Sequence, residues 1–452
     1  MKKIIISSIG IVLLLGSSFL ISGCGSKDNA SDSSQVTTIS ILRPFAEEGF
    51  FKTIIADYES QSKNTKVTYK EVPFDRYELE SLNSLAAQNG PDIWNVRSDW
   101  MSKHFNKLIP FPDGYFKSSQ DDKRTDLEIF KETFPDFVSN DLVINNKIYG
   151  YPLAVDTLVL YFNPAIIEET RTEYNGWAEE NGQPGIPEFP WTWEDLQKII
   201  PYLTKKDEGG NITQSAIALG TSNNVNRATD ILYLLMLQNG VQIVSSDNLT
   251  ATFNLNTKTA TGAAANPGLA ALDFYTSFSN PQKSNYTWNS SMPDSIKAFY
   301  EGKVAMMIGY GYFADIMSQQ APDFRYGTTK VPQVSKLGTP TNYANYWVET
   351  VTKSSKNNSL VWKLLRSYTN SEATRNFSDL KHTSNSLKGG MDKESEDPRA
   401  SQPLSAKTFN KGKSPERFDA LIADMISKSS SGVDHLKTLD ETATKITNTL
   451  RE

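Results

Sequence analysis

The sequence has few cysteine and histidine residues, the side chains that form disulfides and bind transition metals. Cysteine occurs once, as Cys24, in 452 residues, so the chain cannot form an internal disulfide and depends on packing for its stability. The three histidines, His104, His382 and His435, are far apart and show no ligand-type spacing, which argues against a zinc site. We therefore expect neither a metal ion nor a cofactor.

Basic runs and the common catalytic motifs are also missing. Lys and Arg number 46 against 52 Asp and Glu, a formal net charge of −6 without a basic block, which argues against a nucleic-acid partner. The sequence contains no phosphate-binding glycine loop and no Gly-x-Ser-x-Gly elbow. We expect a protein that is not an enzyme. The enzymatic alternative is a surface glycoside hydrolase, which needs two carboxylates at a defined separation.

Apolar and aromatic residues, by contrast, are plentiful. Hydrophobic residues make up 38% of the chain, which includes 22 Phe, 19 Tyr and 8 Trp. A single hydrophobic core stops growing at about 250–300 residues, so a chain of this length is expected to fold as two lobes.

The amino terminus has the order of a secretory signal peptide. Lys2 and Lys3 provide positive charge, an apolar run follows, and two small residues precede Cys24. A membrane anchor is the alternative, because a span needs about 20 mainly apolar residues, but serine and glycine interrupt this run. We expect residues 1–23 to be a signal peptide that is removed.

The four residues "ISGC" that end at Cys24 resemble a bacterial lipobox. The resemblance implies cleavage before this cysteine and its lipidation, which would hold the protein at the extracytoplasmic face of the cell membrane. Stable attachment takes more than one acyl chain, and a bacterial lipoprotein carries them on its first residue. Residues 24–35 contain no large apolar side chain and are expected to form a flexible tether.

Alternating strand and helix patterns follow the tether. The segments "VTTISIL" and "TKVTYKEV" alternate in polarity as strands do, and "PDIWNV" indicates a third strand. Between them, the apolar residues from Phe51 to Tyr58 have helical spacing, and a second helix is predicted over residues 77–88. This order predicts an α/β fold with an open sheet and helices on its faces.

Four more helices are predicted further along the chain. Thr192 should cap one of them, with Asp195 three residues later, and Pro201 should kink or end it. Ser414 should cap another, ahead of Pro415. The remaining two are expected over residues 359–368 and 439–450, and surface loops are expected over residues 175–187 and 384–403.

Five segments of the sequence occur in a recognisable order. They are "LAAQNGPDIWNVRSDW", "GYPLAVDTLVLYFNPAII", "PWTWEDLQKI", "AFYEGKVAMMIGYGYF" and "YANYWVETVTKSSKNNSLVWKLLRSYTNSEATRNF". Together they resemble the extracellular solute-binding proteins of ABC importers, the family (family 1) that includes maltose-binding protein and many sugar-binding lipoproteins. The resemblance implies a type II-like periplasmic-binding-protein fold, in which a ligand cleft lies between two α/β lobes joined by hinge crossovers.

The resemblance also implies how the chain divides between the lobes. The N-terminal lobe is expected to comprise residues 36–153 and 350–397, and the C-terminal lobe residues 154–349 and 398–452. The crossings between the lobes are expected near Pro152–Asp156, Trp347–Thr350 and Asp397–Arg399.

Charged side chains are the first candidates for solute contacts. Asp156 lies in "PLAVD", where the resemblance implies an acidic contact, and a carboxylate can accept two hydroxyl hydrogen bonds. A helix cap or a solvated loop acid is its alternative role. Asp99 lies with Arg97 and Trp100 in the loop after a strand, where ligands gather in open sheets.

Aromatic side chains provide a second group of candidates. Tyr310 and Tyr312 lie in "GYGYF", where the resemblance implies a ring that stacks on a sugar. Trp347 could face the cleft or the core, and core packing is also the alternative for the two tyrosines.

The last candidates lie in two loops. Phe45 and Glu47 follow the first strand, in a loop that the resemblance implies lines the cleft. Asn224 and Arg227 in "SNNVNRATD" are polar candidates, for which a solvated loop is the alternative.

The resemblance implies a lipid-anchored substrate-binding subunit of an ABC importer, which binds a solute reversibly, closes around it and presents it to membrane permeases. The acidic and aromatic candidates favour a mono- or oligosaccharide, while a phosphate ester, a peptide and a polyamine stay open. We expect a monomer whose partners are the solute, the permease subunits and the membrane. A sensory or adhesive protein on the same scaffold is a further alternative.

Overall fold

A computed structural model describes residues 36–182, 185, 192–258 and 263–452. The expected signal peptide (1–23), the expected tether (24–35) and the lipidation site Cys24 lie outside the described residues. Residues Thr37–Glu452 form one compact unit. No helix in the described part of the chain is both long and apolar enough to span a bilayer.

Strands and helices alternate along most of the chain. The strands are β1 Thr37–Arg43, β2 Thr65–Glu71, β3 Ile93–Arg97, β4 Leu108–Ile109, β5 Val143–Ile144, β6 Lys147–Ile148, β7 Ala154–Thr157, β8 Val159–Phe162, β9 Lys205–Lys206, β10 Ile212–Ile217, β11 Thr257–Lys258, β12 Ala264–Ala265, β13 Val304–Gly309, β14 Gly327–Thr329, β15 Asn342–Asn345, β16 Trp347–Thr352, β17 Ser384–Asn385 and β18 Ala406–Lys407. The helices are α1 Glu48–Gln61, α2 Phe74–Ala86, α3 Met101–His104, α4 Asp126–Thr133, α5 Asp136–Leu142, α6 Pro164–Glu180, α7 Trp193–Leu203, α8 Ala228–Gln238, α9 Pro267–Ser277, α10 Ser295–Tyr300, α11 Phe313–Gln320, α12 Asn358–Tyr368, α13 Ser371–Leu380, α14 Pro398–Ser401, α15 Pro415–Ser430 and α16 His435–Arg451. Single 3-10 turns occur at Ser98–Trp100, Phe105–Lys107, Lys388–Gly390 and Gln402–Ser405.

The first sheet has the strand order β2-β1-β3-β16-β4. β1 is parallel to both β2 and β3, whereas β16 is antiparallel to β3, with Trp347 opposite Arg97. The carboxyl ends of β1 and β3 and the amino end of β16 therefore meet at one edge of the sheet. That edge carries Phe45, the turn Ser98–Trp100 and Trp347.

The second sheet has the strand order β14-β8-β13-β10-β9. β13 is parallel to β10 and antiparallel to β8. The carboxyl ends of β10 and β13 therefore lie at the same edge. The first continues toward Asn224 and Arg227, and the second continues directly into Tyr310 and Tyr312.

Buried apolar side chains form two separate clusters. The first core includes Ile41, Trp94 and Val348, and the second core includes Leu160 and Met306. Complete burial of a large apolar side chain stabilises a fold by about 1.5–3 kcal/mol, so each cluster is large enough to hold its own sheet and helices together. The helical prediction for residues 359–368 is confirmed by α12, whose inward face, Val361, Leu364, Leu365 and Tyr368, belongs to the first core.

The chain passes between the two cores along a third sheet, with the order β17-β7-β15-β18, which we call the crossing sheet. Val155 belongs to the first core and Leu158 to the second, and the reverse change falls between Tyr343 and Ala344. The second change therefore precedes the expected crossing at Trp347–Thr350, because those residues pair with β3 in the first sheet.

The third crossing, expected at Asp397–Arg399, stays a prediction. These residues begin the short helix α14. β18 is the later strand that pairs with β15 in the crossing sheet. Ala406 packs against the first core and Phe409 against the second, so the change of core falls between them.

Several local predictions can be compared with the structure directly. Thr192 and Asp195 form a complete capping box at the start of α7, which confirms that prediction. Pro201 does not end α7, since the helix continues to Leu203, and a kink at this residue stays a prediction. Ser414 does precede α15, but its side chain makes no capping hydrogen bond.

The two predicted surface loops are partly wrong. Helix α6 continues through residues 175–180, and Ser384–Asn385 form β17, which pairs with Val155 and Ala154 of β7. Ser384 is buried, so this segment contributes to the crossing sheet and is not a free loop.

Candidate functional site

An aromatic cluster lies at the strand ends of the first sheet, with Trp347 at its centre. The Trp347 ring makes edge contacts with Phe45, Phe74, Trp100 and Tyr77, at ring-centroid distances of 5.3, 6.0, 5.6 and 6.0 Å. Phe74 stacks on Phe45 and on Trp100, each at 6.5 Å. Trp100 is buried, but Phe74 is 49% exposed. The cluster therefore offers an aromatic surface to solvent.

Three nitrogen donors beside this cluster converge on one carboxylate, that of Glu416. The Nε1 of Trp100 donates to Oε1 of Glu416 at 2.6 Å, and Nη2 of Arg97 donates to the same oxygen at 3.3 Å. The Nζ of Lys103 lies 3.5 Å from Oε2. Arg97 also pairs with Asp99 and lies over the Trp100 ring at 4.9 Å.

Glu416 links the two cores. It lies in the first turn of α15, where the helix dipole favours a negative charge, and α15 packs its apolar face into the second core through Phe418 and Ile422. Arg97 and Trp100 come from the edge of the first sheet. The contacts of Glu416 with them therefore cross from one core to the other.

A second ionic contact between the cores involves Lys411, which is almost completely buried. Its Nζ donates to both carboxylate oxygens of Asp419, at 2.8 and 3.0 Å, and lies 3.8 Å from Oδ2 of Asp99. The ring of Tyr233, in the second core, lies 4.9 Å from this ammonium. Burial opposes the charge of Lys411, but Asp419 and other partners outweigh it and raise the Lys411 pKa.

The second sheet contributes a tyrosine and ion-pair group. The rings of Tyr310 and Tyr312 stack at 5.9 Å, and the guanidinium of Arg227 lies 5.4 Å from the Tyr310 ring. Asp230 is fully buried and accepts hydrogen bonds from Nε of Arg227 and from the Tyr310 hydroxyl, both at 2.8 Å. Burial favours protonation of Asp230, but Arg227 and its other partners outweigh this effect and leave its pKa below the ordinary value.

The Tyr312 ring packs against Tyr310 and Phe313. Burial raises its pKa to about 12, and the guanidinium groups of both Arg227 and Arg97 lie near enough to act on the phenol. The side chain is nevertheless 37% exposed. The Tyr312 side chain is therefore partly accessible to solvent.

Asp156 has a definite structural role on β7. Its Oδ1 accepts a hydrogen bond from the backbone N–H of Gly311 at 2.9 Å, and its Oδ2 accepts one from that of Tyr312 at 3.2 Å. Burial raises the Asp156 pKa to about 7, although these backbone donors lower it. The carboxylate thus fastens the turn that carries Tyr312 to the crossing sheet, and any contact of Asp156 with a solute stays a prediction.

Glu47 is turned into the first core. Its carboxylate pairs with Arg43, which is itself buried and also pairs with Glu349. Glu349 accepts further bonds from Asn95 at 2.7 Å and from the Tyr368 hydroxyl at 3.0 Å. This buried network holds the start of the Phe45 loop, and a contact of Glu47 with a solute stays a prediction.

Asn224 is likewise satisfied within the protein. Its Nδ2 donates to the carbonyls of Asn289 and Met292 at 2.9 and 2.8 Å. Its Oδ1 accepts from Thr221 and from Nε1 of Trp288. All the hydrogen-bonding capacity of this side chain is used within the protein, and a contact of Asn224 with a solute stays a prediction.

A cavity of about 560 Å³ adjoins Asp99 and is lined by parts of the chain from both cores. Asn248 and Phe409 line it from the second core, and Asp141 and Ser102 from the first. Of the residues predicted from sequence, only Asp99 contributes to its wall.

Metal binding finds no support in the described part of the chain, where no three His, Cys, Asp or Glu side chains come together as ligands. The charged groups of the candidate site are instead paired with one another. The arrangement suits hydrogen bonding to a polar solute, with aromatic surface beside it.

The sequence did not reveal Phe74, Glu416, Asp230 or Lys411 as members of the site. Phe74 begins α2 directly after Pro73. An aromatic side chain at the exposed start of a helix could have indicated a binding surface. Glu416 and Lys411 are separated from Arg97 by more than three hundred residues. Their proximity follows only from the fold.

Comparison with known proteins defines the class. A family model described as bacterial extracellular solute-binding protein matches residues 44–375, and the chain belongs to this family. A protein of Brucella abortus (strain 2308), described as a binding protein, is 21% identical over 323 residues, which are 70% of this chain and 67% of its own length. The resemblance found in the sequence is thereby confirmed.

Solved structures confirm the two-lobe periplasmic-binding fold. The sugar-binding protein MalE from Xanthomonas citri has a TM-score of 0.70 at 18% identity, covering 92% of this chain and 97% of its own. An ABC transporter solute-binding protein from Thermotoga lettingae, bound to α-D-tagatose, has a TM-score of 0.65 at 18% identity and covers 92% and 100%. At these identities the likeness establishes the fold alone.

Proposed function

We propose that this chain is the substrate-binding subunit of an ABC importer and that its solute is a neutral mono- or oligosaccharide. The observation that carries the proposal is the juxtaposition of an open aromatic surface, formed by Phe45, Phe74 and Trp347, with the paired charges of Arg97 and Asp99. Aromatic faces cover the apolar C–H faces of a sugar, while charged groups hydrogen-bond its hydroxyls.

The structural neighbours support the carbohydrate proposal over a peptide or a polyamine. One is described as sugar-binding and another was solved with α-D-tagatose. The second wall of the proposed site is Tyr312 with Arg227, both of which are partly exposed. A sugar between the two walls would meet a ring and an ion pair on each side.

We further propose that the two cores are the two lobes and that the crossing sheet is the hinge. This places the boundaries at residues 155–158, 343–344 and 406–409, where the chain changes core. Closure would bring Tyr312 toward Trp347, so a solute would be held by both lobes.

We also propose how the protein is attached to the membrane and how it delivers its solute. Cys24, at the end of the lipobox-like segment, would carry the lipid, and residues 24–35 would give the folded body its reach from the membrane. The protein would act as a monomer on the extracytoplasmic face and present its solute to permease subunits. We infer that it binds sugar without hydrolysing it.

Titration calorimetry tests this function. The purified chain would be titrated with glucose, tagatose, maltose and maltotriose, and with putrescine and a tripeptide as members of other solute classes. We expect saturable binding of one molecule of at least one sugar. Silence with every sugar together with binding of putrescine or the peptide would contradict the proposal, and so would release of reducing sugar from maltotriose.

A variant on the aromatic surface locates the binding. Phe74→Ala removes a ring that is 49% exposed, so the fold should survive the change. We expect sugar binding to weaken about three- to tenfold, the range expected for one aromatic contact. Leu79→Ala is the matched control, because Leu79 lies on the same helix and is 65% exposed. Equal effects of the two variants would remove the aromatic surface from the site.

A further inference from the structure

Each basic side chain of the candidate site is already paired with an acidic one. Arg97 pairs with Asp99 and Glu416, and Lys103 pairs with Glu416 and with Glu78, the latter at 2.7 Å. The same holds in the tyrosine and ion-pair group of the second sheet, where Arg227 pairs with the buried Asp230. The charges of Arg97, Lys103 and Arg227 are therefore each balanced by an acidic partner before a solute enters the site.

Glu416 differs from the other acids of the site in its accessibility. Its side chain is 49% exposed, whereas Asp99 is 10% exposed and Asp230 is fully buried. Glu416 is also the carboxylate on which Trp100, Arg97 and Lys103 converge. A solute that uses these donors must share them with Glu416 or displace it.

We propose that Glu416 makes this site select neutral sugars against acidic ones, an inference that rests on the proposed carbohydrate function. A neutral hydroxyl can donate to Glu416 and accept from Arg97 at once, so it needs no change in the charge of the site. The carboxylate of a uronic or aldonic acid would compete with Glu416 for the same donors. Two like charges would then lie side by side, which opposes binding.

The exposed position of Glu416 also makes its side chain replaceable. It projects from the first turn of α15, and the apolar face of that helix is provided by other residues, such as Phe418 and Ile422. Glu416→Gln keeps an acceptor oxygen for Trp100, removes the charge, and turns the second oxygen, which lies near Lys103, into an NH2 donor. The substitution thus removes the charge of Glu416 while the size of the side chain stays nearly the same.

The test compares neutral and acidic forms of the same sugars. Glucose with glucuronate, and maltose with maltobionate, would be titrated into the original protein and into Glu416→Gln by calorimetry at pH 7. We expect the original protein to prefer the neutral member of each pair that it binds. In Glu416→Gln that preference should fall about tenfold, since one hydrogen bond to a charged group has about this effect on affinity.

Glu372→Gln is the matched control, because Glu372 is an exposed acid in the first turn of another helix, α13, and changes the net charge equally. An unchanged preference in Glu416→Gln, with the neutral sugar still bound and the melting temperature retained, would overturn the inference while leaving the sugar function intact. An equal loss of preference in Glu372→Gln would also overturn it. Failure of the original protein to bind any neutral sugar would contradict the proposed function itself.

Discussion

Two carboxyl groups of the protein are held by donors that carry no charge. Asp141 accepts hydrogen bonds from the hydroxyls of Tyr346 and Thr408, both at 2.8 Å, and Asp156 accepts them from backbone N–H groups. No cation in the described part of the chain lies within ion-pair distance of either carboxylate. Burial raises the pKa of each to about 7, because desolvation disfavours the charged form.

The raised pKa of Asp141 predicts that the protein loses stability as the pH rises from about 4 to 7. The ordinary pKa is 3.8, so over this range the folded protein retains a proton that the unfolded chain has lost. Asp141→Asn should therefore reduce the loss of unfolding free energy with rising pH by less than about 1.4 kcal/mol per pH unit, and so flatten the pH dependence of the melting temperature. Scanning calorimetry between pH 4 and 7.5 measures this effect. A slope that Asp141→Asn leaves unchanged, or that Asp323→Asn at an exposed position alters equally, would refute the assignment.

At the residue scale, sequence reasoning found the residues whose position follows from a strand end. Arg97 and Trp100 follow the end of β3, and a strand end marks such a place in the sequence. Trp347 was a candidate for its aromatic ring, and it lies beside them because β16 pairs with β3. Glu416 could not be found in this way, because its place depends on the packing of α15 against the second core. The inward orientation of Glu47 depends in the same way on a buried arginine.

At the element scale, the turn between β13 and α11 is the most restricted part of the candidate site. A Cβ atom on Gly311 would lie 2.2 Å from the carbonyl oxygen of His382 and 3.1 Å from Oδ1 of Asp156. The neighbouring backbone cannot move away without disturbing the hydrogen bonds that hold Tyr312. Glycine is therefore required for this close approach of the chain.

Gly311→Ala should lower the free energy of unfolding by about 1–3 kcal/mol, the usual result of forcing an atom into a packed region. It should also weaken sugar binding, because Tyr312 would move with the turn. Gly49→Ala is the control with the opposite expected sign. A Cβ at Gly49, in α1, meets nothing within 4 Å, and alanine favours a helix by about 0.5–1 kcal/mol. Denaturant unfolding measures both variants, and equal stabilities for them would contradict this account of the turn.

The start of α7 could be predicted from the sequence, whereas the end of α6 could not. Thr192 and Asp195 indicate the start of α7 in the sequence as a capping box, and the structure contains this capping box. Helix α6 continues past the predicted loop boundary at residue 175, and Ala178 near its end is buried. Local composition favoured a loop there, and burial of the helix overrode that preference.

At the scale of the whole molecule, the α/β class followed from the alternation of strand and helix patterns, but the pairing of β16 did not. β16 belongs to the first sheet because it pairs with β3, some 250 residues earlier in the chain, and no local pattern reports such a pairing. The consequence is functional. The strand that leaves the crossing sheet at Asn345 delivers Trp347, two residues later, to the aromatic cluster.

We predict that a solute binds between the two cores and that the cores approach each other around it. Small-angle X-ray scattering of the purified chain, with and without a saturating amount of the sugar that gives the strongest calorimetric signal, measures this most directly. We predict that the radius of gyration falls on saturation, since closure at the crossing sheet makes the molecule more compact. A radius that stays the same while calorimetry reports full binding would place the sugar on one core alone and contradict the central claim.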